Sequence, residues 1–392
     1  MVFDNSSTLR DRFAAARRCL VEMYKSFRRP GKTFEGFIAA RKKLSVDFKP
    51  LIHAHLQQQH RHVAGVFWKR IGWEVFAADG SRVEMPRTVA NEKAFGCAGN
   101  KKTGPQLLLT TLYQMGTGQP WDWQIGKSTG SERNHLRSML VGLPGDSLIV
   151  ADAGFTGYEL LKDIIDSGRH FLIRVGANVT VLKDLMLESN IDGNVVWLWP
   201  LDKHDRQPLR LRLIVTKKAD ASKTDVYLLT DVFDKDRLSD ETAGILFQMR
   251  WGVEVFYRGF KRTLDQHKLR SRSPQNAVDE LHWAMTAHLL LGLMSIEGMI
   301  TSGRDPLELS IAAALRIVRM AMQSHSCWRR RGDLSALGGL LATAIKDRYR
   351  RKNAKSARNW PHKKNDSPCG TPKIRMATAN EIHCAQRFYD AA

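Results

Sequence analysis

A mixed α/β fold is predicted, on three observations. Through the middle of the chain, short apolar runs closed by turn residues alternate with stretches at helical spacing. Two of those runs, Trp73 to Asp79 and Leu148 to Asp152, end on an aspartate, as buried strands with a carboxylate at the exit. The 392 residues, 43% hydrophobic and 26% charged, supply a core of globular size.

Residues 1–62 read as a helical, basic N-terminal region. Apolar residues recur at helical intervals from Leu9 to Phe27, with Arg10, Arg12, Arg17 and Arg18 between them. A second helix is expected from Thr33, whose hydroxyl can cap it, toward His60. The composition suits a module that contacts DNA and equally a solvated helical hairpin. Trp73 to Asp79 reads as a strand stopped by the turn at Asp79, Gly80 and Ser81. Gln106 to Met115 and Trp121 to Gly126 read as a hairpin around Gly116 and Gly118, and Ser131 to Leu140 as a helix. Leu148 to Asp152 is a strand, Tyr158 to Ser167 a helix and His170 to Val175 a strand. A β-rich insertion follows at about 177–232, with strands at Val195 to Trp199, Leu209 to Thr216 and Val226 to Thr230. One helix is expected from near Ser239 past Lys261 and another from Pro274 to Ile300. Helix from Pro306 to Met322 makes 301–327 a helical C-terminal segment. Residues 328–392 carry 15 Lys plus Arg against 5 Asp plus Glu, with little apolar periodicity, and read as a basic, flexible tail.

Charge narrows the class of partner. With 61 Lys plus Arg against 40 Asp plus Glu, the net charge is +21. Such an excess repels itself in the folded state, and a polyanion is the simplest compensation. Nucleic acid is the first candidate, because each neutralised phosphate releases counterions. No lipidation motif or signal-peptide core is present, and the most apolar run, Ala284 to Ile300, is interrupted by His288 and Glu297. A buried helix is therefore expected there, and no membrane partner. The five scattered cysteines contain no Cys-x-x-Cys pair, which argues against a disulfide framework or a zinc site and for a reducing cytoplasm.

Asp79 and Asp152, taken singly, each fit a turn-forming aspartate. Together, carboxylates at the ends of neighbouring strands converge on one sheet edge, where they repel unless a cation lies between them. Hard oxygen ligands suit magnesium or manganese. A third carboxylate from a helix completes a two-metal site for phosphodiester chemistry. Glu254 is the candidate. At 100° per residue, Arg250 lies about 40° from Glu254 and Lys261 about 20° on its other side, so one acid shares a stripe with two cations. The plain alternative is a pair of helix salt bridges.

These residues resemble a family. The blocks Asp79-Gly80-Ser81 with Pro86 and Thr88, Ala151-Asp152-Ala153-Gly154-Phe155, and the Glu254 helix look like the Asp, Asp and Glu blocks of the DDE transposases of bacterial insertion sequences. The helix is similar to the signature Tyr-x2-Arg-x3-Glu-x6-Lys of the insertion-sequence-four group, with Phe247 where that group has tyrosine. The resemblance covers 66–300 and implies an RNase H-like catalytic domain whose β-rich insertion precedes the last catalytic helix. It implies that Asp79, Asp152 and Glu254 hold two Mg2+ or Mn2+ ions. Arg250 and Lys261 would bind phosphates of double-stranded DNA, at the terminal inverted repeats and the target. Arg258 is expected to touch DNA or to be solvated, and Trp251 to stack on an unpaired base or to lie in the core. Trp197 and Trp199 read as packing. The implied activity is metal-dependent cleavage at the element's ends followed by strand transfer, by a homodimer in a synaptic complex, in the nucleoid-associated cytoplasm of a bacterium. A nuclease or resolvase that cuts without joining, and a non-catalytic DNA-binding derivative, are the rival readings.

Overall fold

The computed structural model describes residues 1–23, 31–44, 46–97, 104–186, 194–216, 225–323, 333–347 and 369–388. Among the described residues the first elements are the helices α1 (Leu9–Met23), α2 (Phe34–Lys42) and α3 (Phe48–Ala64). There follow β1 (Val75–Glu84), α4 (Val89–Phe95), β2 (Gln106–Gln114), β3 (Gln119–Lys127) and α5 (Glu132–Met139). Next come β4 (Leu148–Ala151), α6 (Tyr158–Asp166) and β5 (His170–Val175). The insertion holds β6 (Thr180–Lys183), β7 (Val195–Leu198), β8 (Leu209–Thr216) and β9 (Val226–Thr230). Then come α7 (Asp240–Met249), α8 (Trp251–Arg262), α9 (Pro274–Thr301), α10 (Ile311–Gln323) and α11 (Asp333–Leu341), and finally β10 (Lys373–Met376) and α12 (Ala379–Gln386).

The structure departs from the sequence reading in five places. Thr33 caps α2, its Oγ1 accepting the Gly36 amide at 3.1 Å, but the helix does not reach His60. The Lys43 amide turns back to the carbonyls of Ala40 and Arg41 and closes that helix, and α3 starts afresh. β1 does not stop at Asp79; it runs on to Glu84, because Val83 beyond the acid is fully buried. The helix from Ser239 past Lys261 is two helices. Ser239 caps α7, and at its end the Arg250 amide is shared between the Leu246 and Gln248 carbonyls before α8 begins. α4 and β6 were not expected. Thr88 explains the first: its Oγ1 accepts the Asn91 amide at 3.2 Å and donates to the Arg272 carbonyl at 3.0 Å. Within 328–392, expected to be a flexible tail, α11, β10 and α12 are regular elements. The basic runs around Arg350 and Lys363 lie outside the described residues.

The chain forms two compact units, each assembled from three stretches. The first comprises Met1–Arg70, Gly80–His135 and Gly252–Asp347; the second Ile71–Asp79, Leu136–Trp251 and Arg348–Ala392. β1 runs through both, passing from one to the other between Asp79 and Gly80.

In the first unit, β2 and β3 form the expected antiparallel hairpin, with Leu109 opposite Ile125. β2 is buried almost end to end. Its core helix is α9, which packs on α3, α11 and β3. α9 is long and apolar enough by composition to cross a membrane, yet Leu281, Met285, Leu289 and Ile296 are buried within this unit, as is His288. α8 buries Val253, Phe256, Tyr257 and Phe260 on one face, and the Tyr257 hydroxyl donates to the Leu109 carbonyl at 3.1 Å.

The second unit is built on a mixed sheet in the order β10-β6-β7-β8-β9-β5-β4-β1. β1, β4 and β5 are parallel neighbours. β4 (Leu148, Ile149, Val150, Ala151) is buried at every residue, as a central parallel strand covered on both faces must be. β9 returns antiparallel beside β5, so the insertion extends this sheet. β10 closes the far edge parallel to β6. Counting β1 once, the described residues hold ten strands in an α/β fold, an antiparallel hairpin following β1 with parallel strands beside it, as the RNase H-like expectation requires. Trp197 and Trp199 pack as predicted, with Leu182, Leu185 and Ala385 of α12.

Candidate active site

The parallel register of the second unit fixes where the two aspartates lie. Ala78 of β1 pairs with Ala151 of β4, and Ala151 with Ile173 of β5. The next residue on each strand is Asp79, Asp152 and Arg174. Two acids and a base therefore form one row across neighbouring strands, which stand about 4.8 Å apart. The strand β4 ends here while β1 continues, so the row sits where the ladder opens.

Asp152 does two things. Its Oδ1 accepts the amide of Ala153 at 2.8 Å and starts the turn Ala153–Phe155, the ordinary role of an aspartate after a strand. Its side chain is also 44% exposed and flanked by two guanidiniums. Arg174 Nη1 lies 3.8 Å from Oδ1, and Arg250 Nη2 lies 3.7 Å from Oδ2. Arg250 is only 9% exposed. Its guanidinium carbon sits 5.4 Å from the centre of the Phe247 ring, one turn back on α7, which holds the fork by a cation–π contact. The aromatic ring at 247 thus supports Arg250 without a hydroxyl.

Trp251 begins α8 and is 52% exposed, which removes the core reading. On the first unit's part of α8, Glu254 is half-buried, Arg258 is exposed, and Lys261 Nζ donates to Ser81 Oγ at 2.7 Å. Glu254 and Lys261 are seven residues apart and so share a face of α8. Ser81 ties that face to β1, two residues after Asp79. Gly80 between them is a close-approach position: a Cβ there would collide with the carboxylate of Glu132 on α5.

The structure brings Asp79, Asp152 and Arg250 together in the second unit, and sets Glu254, Arg258 and Lys261 on one helix of the first. Sequence reasoning missed Arg174 and Ser81. A lone charge within the apolar strand from His170 to Val175 was the available signal for Arg174. Among the described residues, no group of three His, Cys, Asp or Glu side chains is arranged to hold a metal ion. The pair that is arranged, Asp79 beside Asp152, offers hard, part-exposed oxygens with two cations already drawn to one of them. That donor chemistry fits a divalent ion of the magnesium or manganese kind.

A family model described as a transposase DDE domain matches residues 72–290. Transposase InsG for insertion sequence element IS4, of Escherichia coli (strain K12), is 27% identical over 292 residues, 69% of this chain and 64% of that protein. The probable transposase for insertion sequence element IS5377, of Geobacillus stearothermophilus, is 27% identical over 149 residues, 37% of this chain and 38% of that protein. The chain therefore spans less than two thirds of the length of these relatives. A solved piggyBac transposase synaptic complex with hairpin DNA superposes with a TM-score of 0.40 at 13% identity, over 73% of this chain and 60% of that one.

Proposed function

Because the matched domain spans more than half of its length, this chain belongs to the DDE-domain transposases, and from that premise we propose that it is an insertion-sequence transposase of the insertion-sequence-four type. Its reaction is hydrolysis of a DNA strand at the element's ends, then attack of the freed 3′-hydroxyl on target DNA. The observation that carries this reading is the row of Asp79 and Asp152 on neighbouring parallel strands, with Arg250 turned onto Asp152.

Asp79, Asp152 and Glu254 are the proposed ligands of two Mg2+ or Mn2+ ions. Bound there, the ions supply Lewis acidity that activates the attacking oxygen and stabilises the departing one. The other roles belong to the chain. Arg250 presents a planar fork to a non-bridging phosphate oxygen, preset by the Phe247 ring. Lys261 presents a point charge whose direction is set by Ser81. Arg258 and Trp251, both exposed, are the proposed contacts to the DNA backbone and to an unstacked base. The excess of basic residues draws duplex DNA and makes binding salt-dependent. Terminal inverted repeats and target DNA are the partners, held by a homodimer on chromosomal DNA in the bacterial cytoplasm.

The test is Asp152→Asn in the full-length protein, on a duplex carrying the inverted repeat that flanks the gene. Cleavage should be lost while binding to the duplex stays within about twofold of wild type. Persisting cleavage would overturn the assignment. A pre-cleaved end then separates the rival chemistry, since hydrolysis with no joined product identifies a nuclease.

A further inference from the structure

We propose that Arg174 is a second phosphate-binding fork of this site, partner to Arg250; the proposal rests on the transposase reading above. Three observations within the second unit carry it. Register places Arg174 level with Asp152, as the third member of the row begun by Asp79. Its Nη1 faces Oδ1 of Asp152 while Arg250 faces Oδ2, so the two guanidiniums bracket one carboxylate. The remaining side chains of β5 after His170 are buried and apolar, and Arg174 alone among them is part-exposed.

At 3.7 and 3.8 Å neither contact has the geometry of a tight bidentate salt bridge. A part-exposed pair at that separation stabilises the fold little. Two forks held apart by a single carboxylate do match an acceptor with more oxygens than a carboxylate, which is what a phosphodiester offers. A guanidinium carries five N–H donors, so facing one oxygen of Asp152 does not exhaust either fork for a phosphate. Arg174 then holds the phosphate on the β5 side and Arg250 on the α7 side, fixing the scissile group over the acids. The backbone of Arg174 is engaged separately, its carbonyl accepting the Thr156 hydroxyl at 3.1 Å, a bond that no side-chain replacement removes.

The experiment measures binding of the inverted-repeat duplex against KCl concentration in EDTA, where no metal contributes. For Arg174→Ala and Arg174→Gln, affinity should fall about tenfold at moderate salt, and the slope of log K on log[salt] should lessen by about one. Arg174→Lys should restore the slope, because the charge returns, yet leave single-turnover cleavage several-fold slow, because the fork does not. An unchanged slope in both neutral variants would overturn the proposal and leave Arg174 as a support of Asp152 alone. Should both neutral variants melt early, Arg174→Lys decides by itself, and wild-type cleavage in that variant counts against the proposal. Mn2+ binding followed by electron paramagnetic resonance separates the two ideas. If Asp152→Asn binds Mn2+ as wild type does, the metal reading fails, whatever the salt slopes show about Arg174.

Discussion

At the scale of single residues, Phe247 matters through Arg250. A cation–π contact of this kind is worth about 0.5–1 kcal/mol, more when desolvated. Phe247→Ala should slow cleavage roughly two- to fivefold by letting the fork wander, whereas Phe247→Tyr should match or exceed wild type; single-turnover cleavage compares them. A second residue-scale prediction concerns His170, away from the acids, at the start of β5. Its Nδ1 lies 2.6 Å from Asp231 Oδ2 and its Nε2 3.3 Å from Asp146 Oδ1. Arg237 pairs with Asp146 and lies over the Trp73 ring, which meets His170 edge-on. The hydrogen bond to Asp231 raises the His170 pKa above its ordinary value, against burial and the opposing charge of Arg237. A raised pKa means that the charged imidazole stabilises the fold fully below the unfolded value and loses that contribution as pH climbs through the folded one. Melting temperature should therefore drop between about pH 6 and about pH 8, and Arg237 and Asp146 being unchanged, His170→Gln should flatten that profile. Asp79 and Asp152 were legible because each closes an apolar run. Arg174 was not, because its meaning is set by a register that only the folded sheet defines.

At the scale of elements, α9 shows why a helix can tolerate a poor helix former. Gly292 lies midway along it, where a Cβ would collide with the side-chain amide of Gln119, itself almost fully buried at the start of β3. Alanine gains about 1 kcal/mol of helix propensity there, but forcing extra atoms into a packed core costs typically about 1–3 kcal/mol. Overpacking should win. Gly292→Ala is expected to lower stability in urea denaturation, and adding Gln119→Ala should recover part of the loss by opening the space. β5 and α9, each a continuous apolar pattern, were readable to within a residue or two. α4 and the break between α7 and α8 were not. α4 has seven residues and α8 follows α7 with one residue between them, so the helical pattern runs on while the hydrogen bonding does not.

At the scale of the molecule, the closing strand and helix are structural. β10 pairs along its length with β6, the Cys369 carbonyl accepts the Ala177 amide at 2.9 Å, and Ala385 covers Trp197 and Trp199. Arg375 and Glu381 clamp the pair, the guanidinium holding the Glu381 pKa down to about 2. Deleting 369–392 should expose the β6 edge and those tryptophans. A lower melting temperature and increased binding of a hydrophobic dye are the expected signs, and unchanged melting would show β10 and α12 to be dispensable. The α/β class could be read from the alternation of runs, and the polyanionic partner from the charge. The division into two interleaved units could not, because each is assembled from three separate stretches of the chain, and no local pattern records that pairing.

That interleaving has a consequence for synthesis. A ribosome delivers Asp79, Asp152 and Arg174 first, all in the second unit, while Glu254 and Lys261 emerge only after the chain crosses back at Gly252. The second unit still waits for β10 at Lys373 to finish its sheet. A gene copy interrupted before codon 252 thus encodes the aspartate pair without its glutamate. Under the proposed chemistry, such a fragment carries ligands for an ion but lacks the complete acid set, and is expected to cut nothing.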